Sequence, residues 1–121
     1  MGDAITTFFD AWGMSDAASR NQAIAQALTP DCTYADPRSD GSLSGPDAIA
    51  SYVAMFSDNA PGWTARVVKS DMTQTLARVT VAFGGPGPSG EEMVQLGQYF
   101  ARITNEQIAE MTGFVGTGAP E

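Results

Sequence analysis

The chain has 121 residues, of which 43% are hydrophobic and 17% are charged, and its net charge is −8. This composition is typical of one folded domain with its own core and excludes a disordered chain. Six Lys and Arg residues stand against 14 Asp and Glu residues, and no basic cluster occurs. Nucleic acid and anionic membranes are therefore excluded as expected partners, because both are bound through basic patches.

Two residue types limit the chemistry further. The sequence contains no histidine, which excludes Ser-His-Asp, Cys-His and His-metal sites. Cys32 is the single cysteine, so an internal disulfide and a thiolate metal cluster are excluded as well. We expect no cofactor. The absence of signal-peptide features and of an 18-residue apolar run favours a cytoplasmic location.

Three helices are predicted in the first half of the chain. The first is indicated by apolar residues at the i, i+3, i+4, i+7 spacing of one helical face, namely Ile5, Phe8, Phe9 and Trp12. Asp3 is its expected cap and Gly13 its expected end. The second covers about residues 17–28 and stops before Pro30. The third opens at residues 45–47, with proline at its first position, and its apolar stripe consists of Ile49, Tyr52, Val53 and Phe56.

Strands dominate the second half. A short strand at 32–36 precedes Pro37, because proline favours an extended residue before it, and residues 38–42 form a loop. Further strands are predicted at 63–72, 76–83, 91–103 and 107–115, as an antiparallel meander. The Gly/Pro-rich loop 84–90 is expected to be a surface connection, and 116–121 a mobile tail. Helices first and strands later indicate an α+β domain, with helices on one face of a curved antiparallel sheet.

Asp36 is the strongest candidate for chemistry. Strand alternation places it on the same side as Cys32 and Tyr34, which face the interior. A carboxylate partly removed from water is a candidate base for proton transfer. An Asp-Pro pair is also a common turn in which the carboxylate accepts hydrogen bonds from nearby backbone amides. The sequence leaves both interpretations open.

Several apolar residues are candidates for a ligand pocket. Trp12 and Trp63 lie at the ends of elements, where a ring can line a pocket mouth. Phe56 belongs to the third helix stripe, Tyr34 faces the interior, and Met111 suits an adaptable apolar cavity. Ordinary core packing explains each of these five residues as well.

Short motifs in the right order connect the chain with a known family. Tyr-Ala-Asp-Pro (34–37) ends the first strand, residues 45–49 open the third helix, and Asn-Glu-Gln-Ile (105–108) turns the last hairpin into Met-Thr-Gly-Phe (111–114). Over nearly its whole length the chain resembles the SnoaL-like and ketosteroid isomerase-like branch of the nuclear transport factor 2-like superfamily.

The resemblance implies a cone-shaped α+β roll of the cystatin-like type. Three N-terminal helices would pack in the concave face of a curved antiparallel or mixed sheet, around an apolar pocket, and many members are homodimers. The branch includes isomerases, polyketide cyclases, dehydratases, epoxide hydrolases and non-catalytic binders. The fold therefore does not name the reaction.

The resemblance also implies roles for single residues. Asp36 falls on the aspartate that ketosteroid isomerases use as proton-transferring base. Their oxyanion hole joins a tyrosine on the first helix to a protonated aspartate on a later strand. Here the helix position is Phe8 or Phe9, which cannot donate a hydrogen bond. The strand position falls near Gln98 or Tyr99, either of which can donate one, and the alternation of residues 96–101 does not decide which faces the pocket.

Two functional hypotheses follow. In the first, a cofactor-independent enzyme uses Asp36 to move a proton on a small apolar cyclic carbonyl compound, and Gln98 or Tyr99 steadies the oxyanion. In the second, a domain of the same fold binds an apolar ligand without turning it over and forms a homodimer through its sheet. The acid and arginine arrangement of epoxide hydrolase relatives cannot be assembled from Arg66, Arg78 or Arg102.

Overall fold

The computed structural model describes residues 4–39 and 41–116. Its three helices are α1 (Ala4–Ala11), α2 (Ala17–Ala27) and α3 (Pro46–Asn59). Its six strands are β1 (Leu28–Ala35), β2 (Leu43–Ser44), β3 (Thr64–Thr73), β4 (Leu76–Pro86), β5 (Glu92–Thr104) and β6 (Gln107–Val115). The predicted cap Asp3 and residues 117–121 of the predicted tail lie outside the described residues.

All six strands form one sheet in the order β2-β1-β6-β5-β4-β3. The pairs from β3 to β6 are antiparallel, which confirms the predicted meander. β1 pairs with β6 in parallel, so the sheet is mixed. The α+β class is confirmed, with three helices packed on a curved, open six-stranded sheet.

The first strand differs from its prediction at both ends. It begins at Leu28, which the sequence assigned to the second helix, and it ends one residue before Asp36. Leu28 pairs with Ile108 of β6, and the register shifts before the next pair at Thr33. Pro30 lies within this irregular stretch, where a missing backbone N–H breaks no regular ladder. The two-residue β2, which the sequence did not predict, pairs with the end of β1.

Local sequence signals explain where two helices begin. Asp16 caps α2, because its side chain accepts a hydrogen bond of 2.9 Å from the Ser19 amide. α3 starts with Pro46 at its first turn, where the missing N–H has no helical partner to lose. Gly45 before it has a φ of 88°, a left-handed conformation that favours glycine. These local signals determine where α2 and α3 begin.

The core lies between the helices and the concave face of the sheet. Along β4 the inward residues Ala77, Val79 and Val81 are fully buried, and alternation sends their neighbours to the outer face. Phe8 and Phe9 of α1 are also completely buried. The outer face remains partly apolar, with four exposed side chains on β5 and β6, namely Val94, Leu96, Phe100 and Phe114.

Candidate functional site

A cavity of about 370 Å³ opens between α3, the loop after β1 and the neighbouring ends of the strands. Its wall includes seven aromatic residues, namely Trp12, Tyr52, Phe56, Trp63, Phe83, Tyr99 and Phe114. The polar side chains in the wall are Asp36, Arg38, Asn59 and Gln95. A concave, mostly apolar cavity with few polar groups is the usual form of a small-molecule site.

Asp36 closes a turn directly after β1. Its Oδ1 atom accepts hydrogen bonds from the backbone N–H groups of Arg38 and Ser39, each at 2.8 Å. Its own N–H donates to Ser39 Oγ at 3.0 Å. The interpretation of the Asp-Pro pair as a turn is therefore correct. The turn holds the carboxylate at the cavity wall.

Two phenols hold the same carboxylate from the cavity side and from the core. The Tyr34 hydroxyl donates to Oδ2 at 2.6 Å. The Tyr52 hydroxyl lies 2.7 Å from Oδ1 and 2.9 Å from Oδ2. The hydroxyl oxygens of Tyr34 and Tyr99 are 3.4 Å apart. The chain has three tyrosines, and all of them belong to this group, which we call the tyrosine cluster.

The tyrosine cluster stays protonated at neutral pH. Burial raises the pKa of Tyr34 well above its usual value, with further contributions from Tyr99 and Asp36. Burial also raises the pKa of Tyr52 and of Tyr99, and the nearby carboxylate adds to both shifts. A buried phenolate beside a carboxylate is unfavourable, because burial and a like charge both oppose ionisation. The cluster therefore acts through its O–H groups as hydrogen-bond donors.

Aromatic packing sets the position of the cluster. The rings of Phe9 and Tyr99 are 4.9 Å apart, and those of Phe8 and Tyr34 are 5.9 Å apart. α1 thus supplies two apolar rings that pack against Tyr34 and Tyr99. Trp12 packs on Phe56 at 5.0 Å, and its Nε1 atom is buried without a hydrogen-bond partner in the described part of the chain. An unpaired buried donor has a free energy cost, because it has lost its hydrogen bonds to water.

The structure brings most of the predicted site residues together. Asp36, Tyr99, Trp12, Phe56 and Trp63 line one cavity. Trp63 is anchored at its rim, since its Nε1 atom donates to the Pro86 carbonyl at 3.0 Å. Tyr34 lies behind the wall, 1% exposed, and reaches the site through its bond to Asp36.

Two predicted residues lie elsewhere. Gln98 pairs with Thr80 and Phe114 on the outer face of the sheet, because it alternates with the inward Tyr99. Of the two alternatives that the sequence left open, Tyr99 and not Gln98 lies in the cavity wall. Met111 is buried in the core, 2% exposed, and pairs with Tyr34 and Ala101 in the sheet. It packs beneath the site and does not line the cavity.

Four polar residues of the wall were not predicted from the sequence, namely Arg38, Tyr52, Asn59 and Gln95. Tyr52 was assigned only to the apolar stripe of α3, although it is the one hydroxyl on that stripe. Arg38 lies in the loop after Asp36 and donates to Gln95 Oε1 of β5 at 3.1 Å. Only the position of the loop against β5 reveals this contact, and no local pattern of residues indicates it.

The described residues form neither a group that could hold a metal ion nor a membrane-spanning helix. Within residues 4–39 and 41–116, no three His, Cys, Asp or Glu side chains are grouped so that they could hold a metal ion. Cys32 is buried as a free thiol, and burial raises its pKa. None of the helices in these residues is long and apolar enough to cross a membrane.

Solved structures share this architecture. A protein from Agrobacterium tumefaciens assigned as an isomerase of the SnoaL-like family has a TM-score of 0.79 and 21% identity, over 94% of this chain and 95% of its own. A protein from Jannaschia assigned as a SnoaL-like polyketide cyclase has a TM-score of 0.75 and 17% identity, over 93% and 82% of the two chains. At these identities the likeness shows the fold alone.

A third structure holds a small molecule. It is a protein from Catenulispora acidiphila with a ketosteroid isomerase-like fold in complex with trimethylamine, with a TM-score of 0.72 and 15% identity over 91% of this chain and 82% of its own. Among curated proteins no sequence matches this chain. The model of the SnoaL-like domain matches residues 5–111. This match covers all three helices and most of the sheet, so the chain belongs to the SnoaL-like domain family.

Proposed function

We propose that the cavity binds a small, largely apolar cyclic carbonyl compound and that Asp36 moves a proton to or from a carbon next to the carbonyl. The observation that carries this proposal is the position of Asp36, the only carboxylate among the described residues of the cavity wall. The relatives assigned as an isomerase and as a polyketide cyclase support this class of activity. No step needs a cofactor, because a positioned carboxylate is sufficient for proton transfer.

The two oxygens of Asp36 differ in their hydrogen-bond partners. Oδ1 accepts from two backbone amides and lies 2.7 Å from the Tyr52 hydroxyl. Oδ2 accepts from the Tyr34 hydroxyl and lies 2.9 Å from the Tyr52 hydroxyl. The proposed step transfers the proton of the carbon to Oδ2, while Tyr52 donates to Oδ1. The electron pair of the broken C–H bond forms the enolate, and return of the proton at another carbon completes an isomerisation.

Tyr99 is the proposed donor to the enolate oxygen. Its hydroxyl lies 3.4 Å from that of Tyr34, whose own proton is directed to Asp36 at 2.6 Å. Among the described residues the Tyr99 hydroxyl is only the acceptor of this contact, so its own proton is available to a ligand oxygen. Burial raises the pKa of Tyr99, so the phenol remains a donor. A fixed donor aimed at developing negative charge is an effective form of catalysis.

Exchange of solvent deuterium into 2-tetralone, followed by NMR, tests the proposal. The wild type should exchange the protons next to the carbonyl faster than buffer does. Asp36→Asn should reduce the enzymatic rate by about 100-fold or more, and Tyr99→Phe should reduce it by about 100-fold. Asp10→Asn, an exposed change on α1, is the matched control and should leave the rate unchanged.

The second hypothesis, a binding domain without catalysis, is favoured by one observation. Both oxygens of Asp36 already accept hydrogen bonds, as they would in a purely structural turn. The same experiment separates the two functions. A wild type that binds 2-tetralone but exchanges its protons only at the rate of buffer would contradict the proton-transfer proposal and support the binding domain.

We also propose that two copies pair through the outer face of the sheet. Phe100 and Phe114 form a ring contact there, with centroids 5.9 Å apart, while both remain exposed. Arg78 and Arg102 lie on the same face among the apolar side chains, each with an acidic partner in its own chain. Leu96 and Phe114 belong both to this face and to the cavity wall, so a second copy would cover one side of the cavity.

A cytoplasmic location is proposed on the free thiol of Cys32.

A further inference from the structure

A single cation lies at the mouth of the cavity. Arg38 is the one Lys or Arg side chain among the described residues of the wall. Its backbone N–H is used by Asp36, and its side chain extends across the mouth to Gln95 Oε1, where Nη2 donates at 3.1 Å. Gln95 is a neutral partner, so this contact orients the guanidinium without neutralising its charge.

Arg38 is distinguished from the other basic side chains of the described residues by its place in the cavity wall. Arg78 and Arg102 form ion pairs with Asp71 and Glu110 at 3.1 Å and 3.8 Å, and Arg20 is buried in α2 and donates to the Met14 carbonyl. Like Arg38, Arg66 and Lys69 form no ion pair with a described residue, but both lie outside the cavity wall. In a chain with 14 acidic residues and a net charge of −8, a cation that lines a cavity and has no ion-pair partner among the described residues indicates a role toward a ligand.

The guanidinium keeps further N–H groups available beyond the one that meets Gln95. A planar guanidinium has five N–H donors in a fork that matches the two oxygens of a carboxylate. Its charge also reaches the interior of the site. Burial raises the pKa of Tyr52 and Tyr99, and Arg38 acts on both in the opposite direction. The polar end of the cavity is thus under the influence of this cation.

We infer that the ligand of this cavity carries a carboxylate, which Arg38 binds at the mouth while the aromatic wall encloses its ring. The inference rests on the proposed function, since it names the class of substrate that the site would accept. Asp36 and Arg38 are two residues apart in one turn, so the ligand would present its carboxylate to the cation and its reacting carbon to Asp36. The substrate class is then a cyclic keto acid rather than a neutral ketone.

Calorimetric titration with two probes of equal size tests this inference. The probes are 2-naphthoate, which is an anion, and 2-naphthamide, which is its neutral counterpart. The wild type should bind naphthoate about tenfold or more tightly than naphthamide, as expected for a charge-assisted bidentate pair. Arg38→Gln should remove this preference, so that the ratio of the two affinities falls to about one. Arg66→Gln, an exposed arginine of β3 outside the cavity, should preserve it.

The outcomes separate this inference from the proposed function. Equal affinity of the wild type for both probes, no binding of naphthoate at millimolar concentration, or a preference that survives Arg38→Gln would each overturn the carboxylate inference. Deuterium exchange into 2-tetralone is measured on the wild type with a neutral ketone, which has no carboxylate for Arg38 to bind. Exchange can therefore succeed while the preference for the anion fails, and the reverse result is equally distinct.

Discussion

Asp36 unites a structural and a chemical role in one side chain. Its carboxylate accepts from two backbone amides and from two phenols. Asparagine has the same shape but offers an NH2 group where the carboxylate offers an oxygen. At least one of the four donors would then face another donor.

We expect Asp36→Asn to lower the free energy of unfolding by about 1–3 kcal/mol, the usual result of leaving a buried polar group unsatisfied. Urea unfolding at neutral pH measures this change, and a constant slope shows that only stability has changed. Asp10→Asn on the exposed side of α1 should change the midpoint little. A variant more stable than the wild type would mean that the turn strains the fold.

The tyrosine cluster also predicts how the free energy of unfolding changes at alkaline pH. Burial holds the pKa of all three phenols above the value of about 10 that an unfolded chain shows. The folded state therefore binds these protons more tightly than the unfolded state. The resulting stabilisation is complete below about pH 10 and is lost as the pH rises toward the folded values.

Ultraviolet absorbance of tyrosinate checks this expectation directly, because the chain has no tyrosine outside the cluster. The native protein should show little ionisation at about pH 10, where the urea-unfolded protein is half ionised. Urea midpoints should stay level up to this pH and fall above it. Ionisation of native tyrosines with an ordinary midpoint would contradict the hydrogen-bonded, buried cluster.

At the scale of elements, β5 and β6 are fitted to each other through a glycine. Gly113 pairs with Tyr99 across the strands, and a methyl group on Gly113 would overlap the ring of Tyr99. The absence of a side chain at this position lets the ring lie flat against the sheet with its hydroxyl toward Tyr34. Met-Thr-Gly-Phe (111–114) therefore serves the site, although it contributes no polar group to it.

Gly113→Ala should displace the Tyr99 ring and destabilise the protein by about 1–3 kcal/mol through overpacking. Gly84→Ala in β4 is the matched control, because a methyl group there would meet the Met93 carbonyl at 3.4 Å, an ordinary contact. Thermal unfolding and exchange into 2-tetralone measure the two effects. Equal stability and equal exchange for both variants would show that Tyr99 does not depend on this glycine.

Local signals in the sequence were sufficient for most elements and for part of the site. Helical spacing and Pro46 placed the helices, and the strand pattern placed β3 to β6 within a few residues. The start of β1 was missed, because pairing of Leu28 with β6 is a contact over 80 residues that outweighs a local helical pattern. Arg38 and Gln95 were missed for the same reason, since their contact joins residues 57 positions apart.

The parity of β5 shows the same limit within the site. Apolar and polar residues alternate almost equally on both faces of residues 96–101, because the outer face of this sheet is apolar too. Leu96 and Phe100 are exposed on that face, at 41% and 36%. A two-sided apolar strand does not reveal which face is the core. Tyr99 pairs with Val79, which is fully buried, and this pairing places Tyr99 on the core face.

For the whole molecule, this apolar outer face has a consequence for assembly. A contiguous apolar surface beside charged residues commonly marks a contact between proteins. A two-fold dimer uses the same surface twice, so Phe100 and Phe114 would approach their own counterparts or each other's. We expect sedimentation and light scattering to give twice the chain mass of 12.7 kDa at micromolar concentration.

Phe100→Asp tests this assembly, since the two-fold axis would bring two new carboxylates into one interface and produce a monomer. Met72→Asp is the matched control, because Met72 is 54% exposed, pairs with the inward Ala77 rather than lying on the outer face and is outside the cavity wall, so it should leave the dimer intact. Leu96 and Phe114 also line the cavity, so the monomeric variant should bind 2-naphthoate more weakly than the dimer. A wild type that remains monomeric at high concentration would overturn the dimer, and the cavity would then be complete within one chain.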